Sequence, residues 1–474
     1  MYERKLGEVK SDQMLAVYGP GAVMDAVHDS LVLLDTNYWR ESNCMGREIH
    51  DARLSGYLNV SKLYMLKTDG KEDIPARPFP YYHICSNSTC NYLFDMRDTF
   101  DLDHYKQSQG QVVCPRCGGK AYPAGLITVC KDGHMDDFPW SWWVHEGDTG
   151  CQGTLTVTST GTGSSVDELS VECSCGKKRT LAGVLLNDSL AGWNCTGNHP
   201  HRPNEKRKPC SMHPVACRRD DPALYFPVIR SAISIPPWIN PIYDLLSDKK
   251  KTVDSFVKEF GELGLRKMYE RYFFPEFTRE EFDSAWKGVQ LIPRSFAELK
   301  EMEYAAFIDQ NNMRNERKGK YFEAEEVVIA GNLKKYFSRV IKLSRLREVR
   351  AVTGFTRLRE PQPESDDLSN ICQLNPGYSE KWLPVVEAAG EGIFFELNGD
   401  TMAAWMRKSS VRERSAQFVH LYAEYCAERG WTHGTEKNAE YVLLHTLSHL
   451  LIKELAVQLG FSSAALRERI YSGR

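Results

Sequence analysis

The chain has 474 residues, of which 42% are apolar and 26% charged, a composition that excludes wholesale disorder. Its length suggests about three domains, with enough chain to bury a sizeable core without disulfide staples. Sixty basic side chains against 63 acidic ones leave a net charge of −3. That balance excludes a generally basic, histone-like binder and confines any nucleic-acid contact to local patches.

The N-terminus, MYERKLGEVKSDQ, is too polar for a secretory signal. No stretch approaches the roughly 20 apolar residues that a membrane span needs. A reducing, cytoplasmic setting is therefore expected, where fourteen cysteines need a role other than disulfides. The phosphate loop GxxxxGK[ST], a strand-borne GxGxxG and the zinc-protease HExxH are all missing.

Residues 1–78 read as an N-terminal domain, with a Gly19-Pro20-Gly21 turn and a short buried strand at Ser30 to Asp35. Residues 79–220 hold 11 of the 14 cysteines. Within them TLTVT and LSVEC read as strands around a Gly/Ser/Thr-rich loop at 158–164, which suits a small β-rich metal module. Residues 221–340 contain no cysteine and read as mainly helical. FVKEFGELGLRKMYERY, RSFAELKEMEYAAFI and EVVIAGNLKKYFSRVIKL all show helix-like apolar spacing. Residues 341–474 mix a polar loop (360–367), a strand at GIFFEL (392–397) and a helix, VLLHTLSHLLIKELAVQL, stopped by Gly460. The expected fold is α+β and multidomain: a β-rich zinc-binding module, a helical middle and a mixed α/β C-terminal region.

Cys85-x4-Cys90 and Cys114-x2-Cys117 are two close pairs separated by 23 residues. Zinc takes four ligands in a tetrahedron, and thiolate pairs on tight turns can supply two each. Cys85, Cys90, Cys114 and Cys117 are therefore expected to hold one structural Zn2+. A second set is expected at Cys151, Cys173, Cys175 and Cys195, where the CSCG turn has 21 residues before it and 19 after it to the flanking cysteines. Cys130, Cys210, Cys217, His134, His199, His201 and His213 are rival donors to that set. All-thiolate sites leave no open position, so they support a fold and not hydrolysis.

Other chemistry is weaker. His445 and His449 share a helix face, but Thr446 stands where a zinc protease needs its glutamate. Asp136 and Asp137 are neighbours whose side chains diverge on a strand. Trp140, Trp142 and Trp143 could stack on bases, though core packing explains them as well. Local basic strips are candidates for DNA phosphates: Lys177, Lys178 and Arg179; Lys206, Arg207 and Lys208; and Arg345, Arg347 and Arg350.

Several segments together resemble the DrmB family, a core subunit of the DISARM anti-phage defence system. They are SDQMLAVYGPGAVMD with LDTNYW, PARPFPYYHICSNSTC, VCKDGHMDDFPWSWWVH, CSCG with GWNC, YFPVIRSAISIPPW, SRLREVRAVTGFTRL, WLPVVEAAGEGIFFEL and HTLSHLLIKEL. The last four are similar to an uncharacterised domain that accompanies superfamily 2 helicases. The resemblance implies a non-catalytic subunit that associates with a helicase-like ATPase, DrmA, in a complex that engages DNA. It also implies zinc ligation at Cys85, Cys90, Cys114 and Cys117. Chains of this family continue past the ERIY element, whereas this sequence stops at Arg474, so the helicase-associated domain is expected to be incomplete. The alternative from another class is a zinc-dependent nucleic-acid-processing enzyme built on His445 with His449, or on Asp136 with Asp137.

Overall fold

The computed structural model describes residues 6–39, 45–67, 74–148, 150–159, 165–310, 312, 321–368, 371–375, 381–431, 437–460 and 462–472. The expected loop at 158–164 lies for the most part outside them. Four sheets are present among the described residues.

The cysteine-rich region forms an antiparallel sheet of seven short strands. Their spatial order is Lys178–Thr180, Leu169–Cys173, Leu155–Ser159, Tyr92–Asp95, Tyr82–Cys85, Lys120–Pro123 and Val112–Val113. In LTVTS the apolar residues Leu155 and Val157 point inward and the threonines are half-exposed, the period-two pattern of a strand covered on one face. Leu155 lies opposite Cys173 on one side and Leu93 on the other. That register puts the turns at 86–91, 114–119 and 174–177, together with the 151–154 entry, at one end of the sheet. Arg116 ties this end together. Its guanidinium stacks on Tyr92 at 4.1 Å and donates to Thr154 Oγ1 at 2.9 Å.

A three-stranded sheet, Met135–Asp137, Leu126–Val129 and Val215–Arg218, packs beside it. The run LITV is buried throughout, as expected of a central strand. Asp137 joins the two sheets, because its Oδ1 accepts from the backbone N–H of Tyr81 at 2.8 Å and of Tyr82 at 3.2 Å. A second three-stranded sheet holds Val23–Asp25, Ser30–Leu33 and Ala76–Pro78. The middle of these, expected from SLVLLD, is fully buried.

The largest strands belong to the fourth sheet, ordered Phe226–Ile233, Phe337–Thr356, Trp382–Leu397, Lys62–Leu66 and Met45–Glu48, with Phe322–Glu326 and Cys372–Gln373 also paired to Phe337–Thr356. One core joins Met14, Trp39 and Leu63 to Val349, Val385 and Trp382. The helical stretch Pro241–Tyr272, broken by a kink at Gly261 (φ +56), and helices Arg279–Gln290 and Phe296–Ile308 occupy the expected helical middle. Thr278 and Glu281 cap the second of these reciprocally. The expected helix in EVVIAGNLKKYFSRVIKL is corrected, because it forms the end of one strand, a turn and the start of the 20-residue strand Phe337–Thr356. Ile341 and Leu343 are buried and Lys342 is exposed, so the governing period is two.

The C-terminal helices are Gly399–Met406, Ser409–Arg429 and Ala439–Leu459. Gly460 ends the last one in the left-handed conformation, as expected. By length and composition this helix is long and apolar enough to cross a membrane, which corrects the expectation that no stretch approaches a span. Arg357, fully buried, ties distant segments together by donating to the carbonyls of Gly21, Gly133 and Leu224.

Desolvation, followed by repulsion from Asp136, pushes the Asp137 carboxyl up to about 7. An unfolded aspartate titrates near 4. The folded chain therefore holds this proton more tightly, and the resulting stability is complete below about pH 4 and lost as pH rises through about 7. Asp137→Asn keeps an acceptor oxygen and removes the titration. Denaturant midpoints of the variant should lose the decline that wild type shows between those pH values.

Candidate metal centres and basic surface

Cys85 ends a strand and Cys90 lies in the turn that follows it. Cys114 and Cys117 flank the neighbouring turn at the same end of the sheet. The four sulfurs lie within 4.8 Å of one another, with Cys85 to Cys117 at 3.4 Å and Cys90 to Cys114 at 3.9 Å. A disulfide would bring sulfurs to about 2.05 Å. Metal–sulfur bonds of about 2.3 Å in a tetrahedron give edges of about 3.8 Å, which these contacts bracket. Backbone N–H groups also face the sulfurs. The Gly119 N–H lowers the Cys117 thiol to about 7, while burial pushes Cys85 up to about 12. The geometry thus brings together all four residues of the first expected set.

The second expected set is corrected in one member. Cys151, Cys173 and Cys175 converge, with Cys151 to Cys173 at 3.7 Å. The fourth donor beside them is His145, whose Nε2 is 3.4 Å from Cys175 Sγ, and not Cys195. His145 Nδ1 lies 2.7 Å from the Ser141 carbonyl, which can only accept, so Nδ1 carries the proton and Nε2 offers its lone pair. The Lys177 N–H, then His145, lowers the Cys175 thiol to about 6. Gly153 passes so close that a Cβ there would stand 2.4 Å from Cys173 Sγ, which leaves room for no larger residue.

Cys195 belongs to a third group with Cys130, His134 and Cys210. His199, His201 and Cys372 form a three-donor group nearby, where Arg202 Nη2 is 3.6 Å from the Cys372 sulfur. His445 and His449 meet Glu468, an acid that helix-face spacing alone could not reveal. His445 Nδ1 is 2.7 Å from Glu468 Oε1.

The two aspartates weighed as a catalytic pair are structural acceptors. Asp136 takes hydrogen bonds from Thr196 at 2.7 Å and Asn198 at 3.1 Å, and Asp137 holds the Tyr81 and Tyr82 amides. Trp140 and Trp143 are buried in the core.

The basic strips divide. Arg179 stacks on Trp143 at 3.7 Å and donates to its carbonyl. Arg347 is buried, bonded to Ser234 Oγ at 2.7 Å and the His50 carbonyl at 3.1 Å, and Arg350 lies largely inside near Glu348. Arg347 is thereby corrected from a phosphate contact to an internal group, while Arg179 and Arg350 are partly buried against these partners. Lys177, Lys178, Lys206, Arg207, Lys208 and Arg345 remain exposed. Lys178 pairs with Glu172, Arg207 with Asp136, Lys208 with Glu205 and Arg345 with Glu323.

A family profile described as a domain of unknown function, DUF8724, matches residues 10–226. The DISARM protein DrmB of Bacillus paralicheniformis is 39% identical over 464 residues, covering 95% of this chain and 81% of that protein. The chain belongs to the DrmB family of DISARM proteins.

Proposed function

We propose that this chain is a non-catalytic, zinc-stabilised subunit of a bacterial DISARM anti-phage complex. It docks onto a helicase-like ATPase of the DrmA kind in the cytoplasm and helps that complex recognise invading DNA. The observation that carries the reading is the saturation of the donor sets. Cys85, Cys90, Cys114 and Cys117 supply four ligands, and so do His145, Cys151, Cys173 and Cys175. Sets of that kind suit zinc and leave no position for substrate or activated water, so they support a scaffold. Energy transduction would then rest with the partner. The exposed lysines at 177, 178 and 206, with Lys208 and Arg345, offer a discontinuous positive surface for phosphates.

One observation favours the second reading, a zinc-dependent nucleic-acid-processing enzyme. His445 and His449 on the helix Ala439–Leu459 meet Glu468 from the segment that follows it, and three protein ligands would leave a position open. Against it, Glu468 is already occupied by His445 and by the Ser448 hydroxyl. Metal-dependent DNA cleavage by the isolated chain, abolished by His449→Ala, would establish this reading in place of the scaffold.

Affinity purification of the protein from its native operon, followed by mass spectrometry, tests the scaffold reading. A stoichiometric helicase-like ATPase is the expected companion, and a solitary monomer contradicts the reading. In the purified complex, Lys177→Glu with Lys178→Glu and Lys206→Glu should weaken DNA binding by at least about tenfold near physiological salt and flatten its salt dependence. Unchanged affinity would remove these lysines from the DNA path.

The first donor set has its own test. Cys114→Ser should cost the chain one bound zinc and several degrees of melting temperature, since a structural site contributes folding energy directly. An unaltered zinc content would rule that set out.

A further inference from the structure

Residues 195–214 contain neither helix nor strand, yet His201 within them is wholly buried and Arg202 nearly so. A segment of that length without regular structure needs other restraints to stay in one place. Some are visible. Arg202 Nε pairs with Asp35 at 2.6 Å, and the Asp35 N–H donates to the His201 carbonyl at 3.0 Å. Thr196, Asn198 and Arg207 all converge on Asp136. The two ends of the excursion also return to one point. Gly197 holds φ +65, and a Cβ on it would fall 1.7 Å from the Lys208 carbonyl oxygen, so the outgoing and returning strands of the loop touch there.

Cys195 and Cys210 stand at that neck. Facing them is the hairpin turn that joins Leu126–Val129 to Met135–Asp137, with Cys130 at one end and His134 at the other. The Cys130 N–H donates to the His134 carbonyl at 3.1 Å. One ligand atom from each of the four residues lies within 4.8 Å of the others, and Cys130 Sγ is 3.3 Å from His134 Nδ1. The sulfur–nitrogen edge of a tetrahedral zinc site is about 3.5 Å. The Met212 N–H points at Cys210 Sγ from 3.4 Å, as the Gly153 N–H does at Cys151 and the Asn87 N–H at Cys85.

We propose that Cys130, His134, Cys195 and Cys210 bind a third zinc ion, which closes the 196–209 loop onto the 130–134 hairpin. The donors come from three separate stretches of chain, and the loop supplies two of them from its opposite ends. An ion here holds the neck shut and fixes the exposed returning limb that carries Lys206, Arg207 and Lys208. It also keeps His201 and Arg202 against Asp35. The site is closed, like the other two, so its work is positional.

The test uses the purified full-length chain, with zinc measured by plasma mass spectrometry and backbone protection by hydrogen exchange. Wild type should carry three zinc ions. Cys195→Ser should carry two, with exchange across 196–209 at least tenfold faster and protection of strands 82–85 and 92–95 retained. His134→Cys, which preserves a four-donor set, should keep three ions and the protected loop, and it carries the test if Cys195→Ser does not fold. Cys195→Ser with undiminished zinc overturns the proposal. So does a wild-type content of two that falls to one in Cys114→Ser, an outcome that leaves the scaffold reading intact. A wild-type content of zero overturns both.

Discussion

Four thiolates cannot share a space less than 5 Å across unless a cation neutralises them. Two unit charges 4 Å apart repel by about 4 kcal/mol at an effective dielectric near 20, and each donor set contains several such pairs. Without a cation, protons must take that role. The cysteine-rich sheet depends on this constraint because its strands are only two to five residues long. Its turns carry the donors, so an ion bound there would add restraints to short ladders.

The sheet register decides which donors meet. Pairing Leu155 with both Cys173 and Leu93 places the 151–154 entry and the CSCG turn beside the turns that hold the first set. Arg116 bridges the two groups at the same end. Two donors of the third group, Cys130 and His134, lie on the hairpin of the neighbouring three-stranded sheet, which Asp137 fastens to Tyr81 and Tyr82. Arg357 then links this hairpin, through the Gly133 carbonyl, to the end of the long strand and to the N-terminal turn. Metal donors, buried charge and sheet edges are therefore mechanically connected, and that arrangement suits a subunit whose role is to present surfaces.

Local spacing made the first set legible, because each Cys pair closes within a single turn. The second set was legible only in part. The near-equal intervals on either side of CSCG favoured Cys195, but His145 reaches the site from the end of the short helix Trp140–Val144, oriented by Ser141. No interval in the sequence encodes that approach. The α+β class was readable from alternating and helical textures. The long strand Phe337–Thr356 was misread at its start because interleaved Lys and Arg satisfy helical spacing as well as alternation. The basic strips show the same limit: Lys177 and Arg179 are two residues apart, but one faces solvent and the other stacks under Trp143.

X-ray absorption at the zinc edge of the purified chain tests the central claim, that sulfur-rich closed metal centres organise this fold. Three sites with ten sulfurs and two imidazole nitrogens among them predict an average first shell of roughly 3.3 sulfurs near 2.3 Å and 0.7 nitrogens near 2.0 Å. A first shell dominated by oxygen and nitrogen, or a folded chain without a zinc edge, would contradict it.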